Sequence, residues 1–443
     1  MQTIAAISTP VGVGAIGIVR ISGDDALKVA SRVFRTARLK DLKDAVPNMM
    51  YYGTATHGGV SDKCLGVYFK APKTYTGEDI FEIHCHGGIR IVQEILKGCT
   101  EAGARAADKG EFTKRAFLNG KLALSDAEAV ISMINAESEA QLKASYRSMT
   151  GELSKSVFAF EEKLLDAIAT MEAALDYPEE MEEESRKVAK DTVTELCGEL
   201  EKLLATAKTG SYVKQGIDVA IVGIANVGKS STLNALTGKD RAIVTDVAGT
   251  TRDSLEERIE VDGLLINLID TAGIRETDDK VEKLGVTRSR EIAGSSDVVL
   301  FITEAGRDFD EEEKKILSSL GGAKVLYVFN KDDKPHAKDD RKGVFVSAKT
   351  GAGIDALKLA IVDSVIEGGV DFSGNIVTDS RHKDALSRAY FSLVQARDGF
   401  DVEPAECILV DMRDAYSALG EITGSTADEN IVNAIFSKFC LGK

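Results

Sequence analysis

The segment Gly223-Ile224-Ala225-Asn226-Val227-Gly228-Lys229-Ser230 constrains this chain more than any other. It has the form G-x-x-x-x-G-K-[ST], and its setting suits that form. The apolar run Val219–Val222 precedes it, and a helix-like run from Ser231 to Leu236 follows. Glycines let the backbone curl until successive N–H groups face phosphate oxygens. A helix starting at Lys229 adds a dipole that favours anions. In such a loop Lys229 bridges the β- and γ-phosphates and Ser230 ligates Mg²⁺, while Val227, Gly228 and Ser231 complete the lining.

Three later elements narrow the nucleotide. Asp270-Thr271-Ala272-Gly273 follows the apolar run Leu264–Ile269. Asp270 is placed to hold Mg²⁺ through water, and the Gly273 N–H to face the γ-phosphate. Asn330-Lys331-Asp332-Asp333 follows the run Val325–Phe329. Asp333 would accept hydrogen bonds from the N1–H and 2-amino group of guanine. Adenine offers no such pair and would leave the carboxylate unsatisfied. Ser347-Ala348-Lys349 would support the base. In this order the four elements resemble those of the guanine-nucleotide-binding P-loop GTPases.

Many small GTPases orient water with a glutamine after the Asp-x-x-Gly glycine. Here that position is Ile274, which cannot do so. Glu276, Asp278, Asp279 and Glu282 are the nearby carboxylates, and the residues alone do not choose among them. Arg275 is a transition-state cation only by adjacency. In Thr245-Asp246-Val247-Ala248-Gly249-Thr250-Thr251-Arg252-Asp253 a threonine can close over Mg²⁺ and the γ-phosphate as a switch. Asn226 adds a side-chain carbonyl near the phosphates. Together these oxygens could hold a monovalent cation whose charge stands in for an arginine finger.

The rest of the 443 residues must be placed around this unit. That length suggests about three domains. A net charge of −16 excludes nucleic-acid binding through overall basic charge, though not through a local basic face. No run of 18 apolar residues occurs, so no membrane span is expected, and no secretory signal is visible at Met1–Ile4. Six cysteines without a Cys-x-x-Cys pair read as reduced cytosolic thiols. Residues 1–120 carry 16 Lys/Arg against 12 Asp/Glu, whereas residues 121–216 carry 11 against 19. The first stretch reads as mixed α and β, with strand-like runs at Ile16–Ile21, Leu65–Phe69 and Asp79–His84 and helical spacing over 90–103. Apolar spacing of three and four dominates from about 121 to 208, and helices return from about 376. The acidic run Glu179–Glu184 reads as a solvated loop and helix start behind Pro178. Apolar runs at Ile217–Val222, Leu264–Ile269, Val298–Ile302 and Val325–Phe329 suit a mostly parallel, doubly wound sheet. A helical unit interrupted by an α/β domain accounts for this order. His84-Cys85-His86 has no companion ligands, so a metal is not expected there.

Motifs across nearly the whole chain point to one family. They are Gly17-Ile18-Val19-Arg20-Ile21-Ser22-Gly23, Tyr75-Thr76-Gly77-Glu78-Asp79, His86-Gly87-Gly88, Gly110-Glu111-Phe112-Thr113 and Arg115-Ala116-Phe117-Leu118-Asn119-Gly120-Lys121. Gly249-Thr250-Thr251-Arg252-Asp253 and the C-terminal Phe439-Cys440-Leu441-Gly442-Lys443 complete them. The sequence resembles the MnmE/TrmE family of tRNA-modification GTPases. The resemblance implies an N-terminal α+β folate-binding and dimerisation domain over 1–118. It implies a discontinuous all-α domain over 119–212 and 368–443, and an inserted P-loop GTPase domain over 213–367.

The same resemblance implies roles by position. Arg20, Glu82, Lys121 and Lys443 match folate contacts, His86 lines that region, and Arg and Lys suit glutamyl carboxylates. Asn226, Thr245, Val247 and Thr250 match a potassium site, with Val247 acting through its carbonyl. Ser230 and Thr251 match the Mg²⁺ ligands, Glu282 the glutamate that orients water, and Cys440 the tail thiol. The implied cofactors are GTP, Mg²⁺, K⁺ and a 5-formyl- or methylene-tetrahydrofolate. The implied reaction adds an aminomethyl or carboxymethylaminomethyl group to C5 of the wobble uridine of certain tRNAs. The implied partners are a second copy, the FAD-binding MnmG (GidA) protein and tRNA, in the cytoplasm. A GTPase switch in ribosome assembly, or a folate-dependent transferase with a regulatory G domain, are the competing readings.

Overall fold

The computed structural model describes all residues except 177, 239–255, 271–293, 295, 336–339, 367 and 372–373, and leaves undescribed the side chains of 176, 178–182, 256 and 270. The chain forms two compact units. One comprises Met1–Ile131, Ser148–Asp166 and Arg413–Lys443; the other comprises Ser132–Arg147 and Ala167–Met412.

The first unit is built on seven strands: β1 (Ile4–Ile7), β2 (Gly14–Ser22), β3 (Phe34–Arg35), β4 (Met50–His57), β5 (Val60–Phe69), β6 (Ile80–Gly87) and β7 (Arg105–Ala106). Their order is β3-β4-β5-β6-β2-β1-β7, antiparallel except where β1 meets β7. Alternation puts Val19, Ile21, Phe81 and Ile83 on one face. There they pack with Val29 and Val33 of helix Ala26–Val33 and with Val92 and Ile95 of helix Ile89–Glu101. Each such buried side chain contributes about 1.5–3 kcal/mol. The same alternation leaves Arg20, Glu82 and His84 on the other face, with Arg20 paired to Glu82 and Ile18 to His84.

The second unit carries six strands: β8 (Ile217–Val222), β9 (Glu256–Val261), β10 (Leu264–Asp270), β11 (Val298–Glu304), β12 (Val325–Asn330) and β13 (Val344–Phe345). The order is β13-β12-β11-β8-β10-β9, parallel except for β9 against β10. Helices Lys229–Thr237 and Ile354–Val365 bury Leu236, Leu357 and Ile361 on one face; helix Glu311–Ser319 buries Ile316 on the other. Covered on both faces, the parallel strands are near-continuous Val, Ile and Leu. The four apolar runs seen in the sequence are β8, β10, β11 and β12.

Helices make up the remainder. Pro178 opens helix Pro178–Ala205, where a missing N–H costs nothing, and the acidic run falls in its first turns. In the second unit this helix packs on Ser380–Gly399. Its end is held by Arg186 Nε donating to Phe400 O at 2.6 Å and by the Lys190–Asp401 ion pair at 2.6 Å. Asp379 caps Ser380–Gly399 by accepting the Arg381 N–H at 2.9 Å, and it is paired with Lys214 of helix Ala207–Gln215.

Candidate functional site

In the second unit the chain leaves β8 for one side of the sheet and returns to fill the other from β11. Ligands of open α/β sheets bind at the carboxyl ends of strands where the order reverses in this way. Residues 223–228 lie there, between the end of β8 and helix Lys229–Thr237. Gly228 is held at φ 98, and a Cβ on it would lie 2.2 Å from Asn330 Nδ2, so only glycine fits. Lys229 Nζ donates to Gly223 O at 2.9 Å and Ile224 O at 2.7 Å, which holds the ammonium across the loop. Asn226, at φ 63, Ser230 and Ser231 are exposed. Asp270 ends β10 opposite Ile221, beside the start of this loop.

Asn330 joins three of the sequence motifs. It is buried at the end of β12; its Nδ2 donates to Val227 O at 2.8 Å, and its Oδ1 accepts from Ala348 N at 3.1 Å. The residue serves as a strut between the phosphate loop and the Ser347-Ala348-Lys349 loop. Asp333 Oδ1 accepts from Ser347 Oγ at 2.7 Å, and this hydrogen bond holds its carboxyl below the usual aspartate range. Ser347 is fixed in turn by its N–H to Ala352 O and by the Thr350 N–H to its own Oγ. An exposed, ionised carboxylate aimed by a buried serine is the acceptor that a guanine edge requires. Lys331 and Lys334 both reach Glu304, and Lys349 is exposed.

Thr245, Asp246, Val247, Ala248, Gly249, Thr250 and Thr251 lie outside the described residues. So do Thr271, Ala272, Gly273 and the candidates Arg275, Glu276, Asp278, Asp279 and Glu282.

In the first unit Arg20 Nε donates to Glu82 Oε1 at 2.7 Å, and His84 Nε2 lies 2.9 Å from Glu82 Oε2. Burial alone would raise the Glu82 pKa, but the His84 hydrogen bond and the Arg20 charge hold it below the ordinary value. The Arg20 guanidinium lies 6.0 Å from the centre of the Tyr75 ring and 5.7 Å from that of Phe112. Lys443 O accepts from Phe112 N at 3.2 Å, so the tail ends beside this group. Lys121 is exposed, and a Cβ on Gly77 would stand 3.2 Å from its Cε. Of the four residues, Arg20 and Glu82 touch each other; Lys443 reaches them only through the backbone of Phe112, and Lys121 lies near Gly77. His86 stands further along β6, with Nδ1 2.6 Å from Asp62 Oδ1. Cys440 is exposed, and its carbonyl accepts from Gly110 N.

Beside these groups stand Tyr75 and Phe112, which the quoted motifs contain without a role of their own, and His84 and Glu304. Only the cross-strand registers of Ile18 with His84 and of Glu304 with Asn330 would have indicated the last two. A separate concavity of about 640 Å³, lined by Lys208, Tyr212, Asp297 and Lys324 among others, lies at the opposite end of β8 and β11, away from the phosphate loop. Among the described residues no cluster of His, Cys, Asp and Glu could hold a metal by itself, and no helix is long and apolar enough to cross a membrane.

Comparison with known proteins agrees with these motifs. The profile of the MnmE helical domain matches residues 124–440, and that of the GTP-binding protein TrmE N-terminus matches residues 3–121. The chain is 41% identical to the tRNA modification GTPase MnmE of Acetivibrio thermocellus, over all of this chain and 99% of that protein. The same coverage holds for the proteins of that name from Thermoanaerobacter pseudethanolicus, at 42%, and Geobacillus thermodenitrificans, at 41%. Among solved structures, the G domain of the T. maritima FeoB iron transporter is 27% identical over 34% of this chain and 99% of that one, with a TM-score of 0.27. Aquifex aeolicus Era bound to GDP and AlF4⁻ is 28% identical over 40% of this chain and 66% of that one, also at 0.27. Matched over its whole length by the MnmE proteins, and over residues 3–121 and 124–440 by the two profiles, the chain belongs to the MnmE family of tRNA modification GTPases.

Proposed function

We propose that this GTPase is a potassium-stimulated enzyme acting on tRNA with a FAD-dependent partner of the MnmG (GidA) type. It adds an aminomethyl or carboxymethylaminomethyl group to C5 of the wobble uridine of certain tRNAs. The observation that carries the guanine-nucleotide part is Asn330, whose one side chain ties Val227 to Ala348 while Ser347 orients Asp333.

The residues present suit the groups they would hold. A Cβ would fill the cradle at Gly228, and Lys229 at the helix start presents its charge across the loop. Ser230, with Thr251, would ligate Mg²⁺, which offsets the charge of the phosphate oxygens when bound. Asn226, Thr245, Val247 and Thr250 would hold K⁺, and Glu282 would orient the attacking water. Arg20, Lys121 and Lys443 suit the glutamyl carboxylates of a tetrahydrofolate, and Glu82 suits its amino-bearing edge; the folate supplies the one-carbon unit. The Arg20–Glu82–His84 group supports this assignment by keeping Glu82 ionised. The exposed thiol of Cys440 would act in the uridine chemistry. The domain limits of this reading are 1–118, 119–212 with 368–443, and 213–367. It includes a homodimer in the cytoplasm.

The test is hydrolysis by the purified chain in potassium and in sodium at matched ionic strength, with ATP as control. Potassium stimulation and preference for GTP are the expected result. Equal slow rates in both salts refute the cation site, and equal use of ATP refutes the guanine assignment.

A further inference from the structure

We propose that Glu304 is a positioning residue for base recognition: its two carboxylate oxygens grip both ends of the turn that carries Asp333. The inference rests on the guanine-binding reading above and deepens it. Glu304 is the last residue of β11 and stands in register with Asn330, the last residue of β12. The Ala305 N–H donates to Asn330 O at 2.8 Å, which locks the two strand ends together. Beyond this point the chain turns through Lys331, Asp332, Asp333 and Lys334, closed by Lys334 N donating to Lys331 O at 3.0 Å. Glu304 Oε2 lies 2.8 Å from Lys331 Nζ and Oε1 lies 2.8 Å from Lys334 Nζ. The first and last residues of the turn are therefore held by one carboxylate on a neighbouring strand, and Asp333 projects from between them.

Three further observations support a built arrangement. Lys331 is at φ 64, a left-handed conformation that a lysine does not hold without support from its surroundings. The loop after Glu304 is itself anchored. Buried Glu313 accepts from Thr303 Oγ1 at 2.7 Å, from Arg307 Nη2 at 2.6 Å and from Asp310 N at 3.0 Å. The two lysine contacts hold the Glu304 carboxyl down to about 2, so the grip stays ionised at any working pH. Without it the turn keeps the Asp332 N–H to Val346 O hydrogen bond at 3.1 Å and Asp333 keeps its Ser347 anchor, but the two lysines at the ends of the turn lose their common tie to the end of β11. The angle at which Asp333 meets the N1–H and 2-amino donors would then be averaged over the turn's motion.

The test uses the full chain and fluorescent GDP, IDP and XDP. IDP lacks the 2-amino group, so the GDP-to-IDP affinity ratio reads the geometry of Asp333. Glu304→Ala is expected to weaken GDP binding about tenfold and to pull that ratio toward one, with the loss appearing in KM for GTP and not in kcat. Glu304→Gln keeps one acceptor and should fall between. Lys334→Met removes one grip from an exposed position and supplies the same readout should Glu304→Ala fail to fold. Asp333→Asn is the control, because an amide there should favour XDP over GDP. If Asp333→Asn shifts the base preference while Glu304→Ala keeps the wild-type ratio, the positioning role is wrong and the guanine reading stands. If Asp333→Asn shifts nothing, both are overturned.

Discussion

Replacing Asn330 with alanine tests the strut on which the nucleotide site depends. The side chain is 2% exposed and makes two hydrogen bonds, one to Val227 O and one from Ala348 N. Truncation leaves a buried carbonyl and a half-buried N–H without partners. A stranded buried group costs about 1–3 kcal/mol, so the pair together costs roughly 2–4 kcal/mol. Both groups sit on loops that would line the proposed nucleotide site, so the cost should fall on the loops' bound arrangement more than on global stability. At about 1.4 kcal/mol per tenfold, GDP affinity should weaken by roughly 30- to 700-fold. Titration of the variant with fluorescent GDP, beside a thermal melt, separates the two effects. Asn330→Asp sharpens the comparison, since it keeps the acceptor for Ala348 and sets an oxygen against Val227 O. Wild-type affinity in Asn330→Ala would refute the strut. A melting midpoint lowered in step with affinity would refute its local character.

Two further outcomes follow from other contacts. Burial alone would raise the Asp379 pKa, but Lys214, His382 and the Arg381 N–H bring it down from 3.8 to about 2, a difference worth about 2 kcal/mol. That stability is fully present above about pH 4 and is lost as the pH falls through 2, so the gap in melting midpoint between wild type and Asp379→Asn should hold from pH 7 to about 4 and close below it; a gap independent of pH would sink the linkage. Gly442 sits at φ 88, and a Cβ on it would lie 2.1 Å from Ile7 O. Gly442→Ala should undock the tail, seen as exchange of the Phe112 and Gly110 amides faster by about tenfold or more; unchanged exchange would show that the tail docking is not decided there.

The order of chemical motifs was legible because each is local. A strand, a glycine turn and a helix start within a dozen residues declare a phosphate loop, and Gly228 has to be glycine for reasons that its own φ supplies. The apolar runs of β8, β10, β11 and β12 were legible because strands buried on both faces read as continuous hydrophobic segments. β9 was not. As an edge strand with the sequence Glu256-Glu257-Arg258-Ile259-Glu260-Val261 it carries charges that hide its period while protecting the edge. β4 was hidden similarly, because exposed Met50 and Tyr52 alternate with buried Tyr51 and a glycine.

What tertiary structure alone decided is which charged side chains meet. The family resemblance points to Arg20 and Glu82 as ligand contacts, yet their mutual pairing and the presence of His84 follow only from the β2–β6 register. In sequence Asn330 is part of a base-recognition motif, and its hold on the phosphate loop appears only when β12 is laid near β8 with β11 between. Glu304 has no motif at all; it stands 26 positions before Asn330, and a parallel register brings them side by side. Local backbone chemistry is written over a few neighbours, whereas a side-chain pairing between strands depends on register. Register is set by the packing of a whole sheet, so no short stretch of sequence can state it.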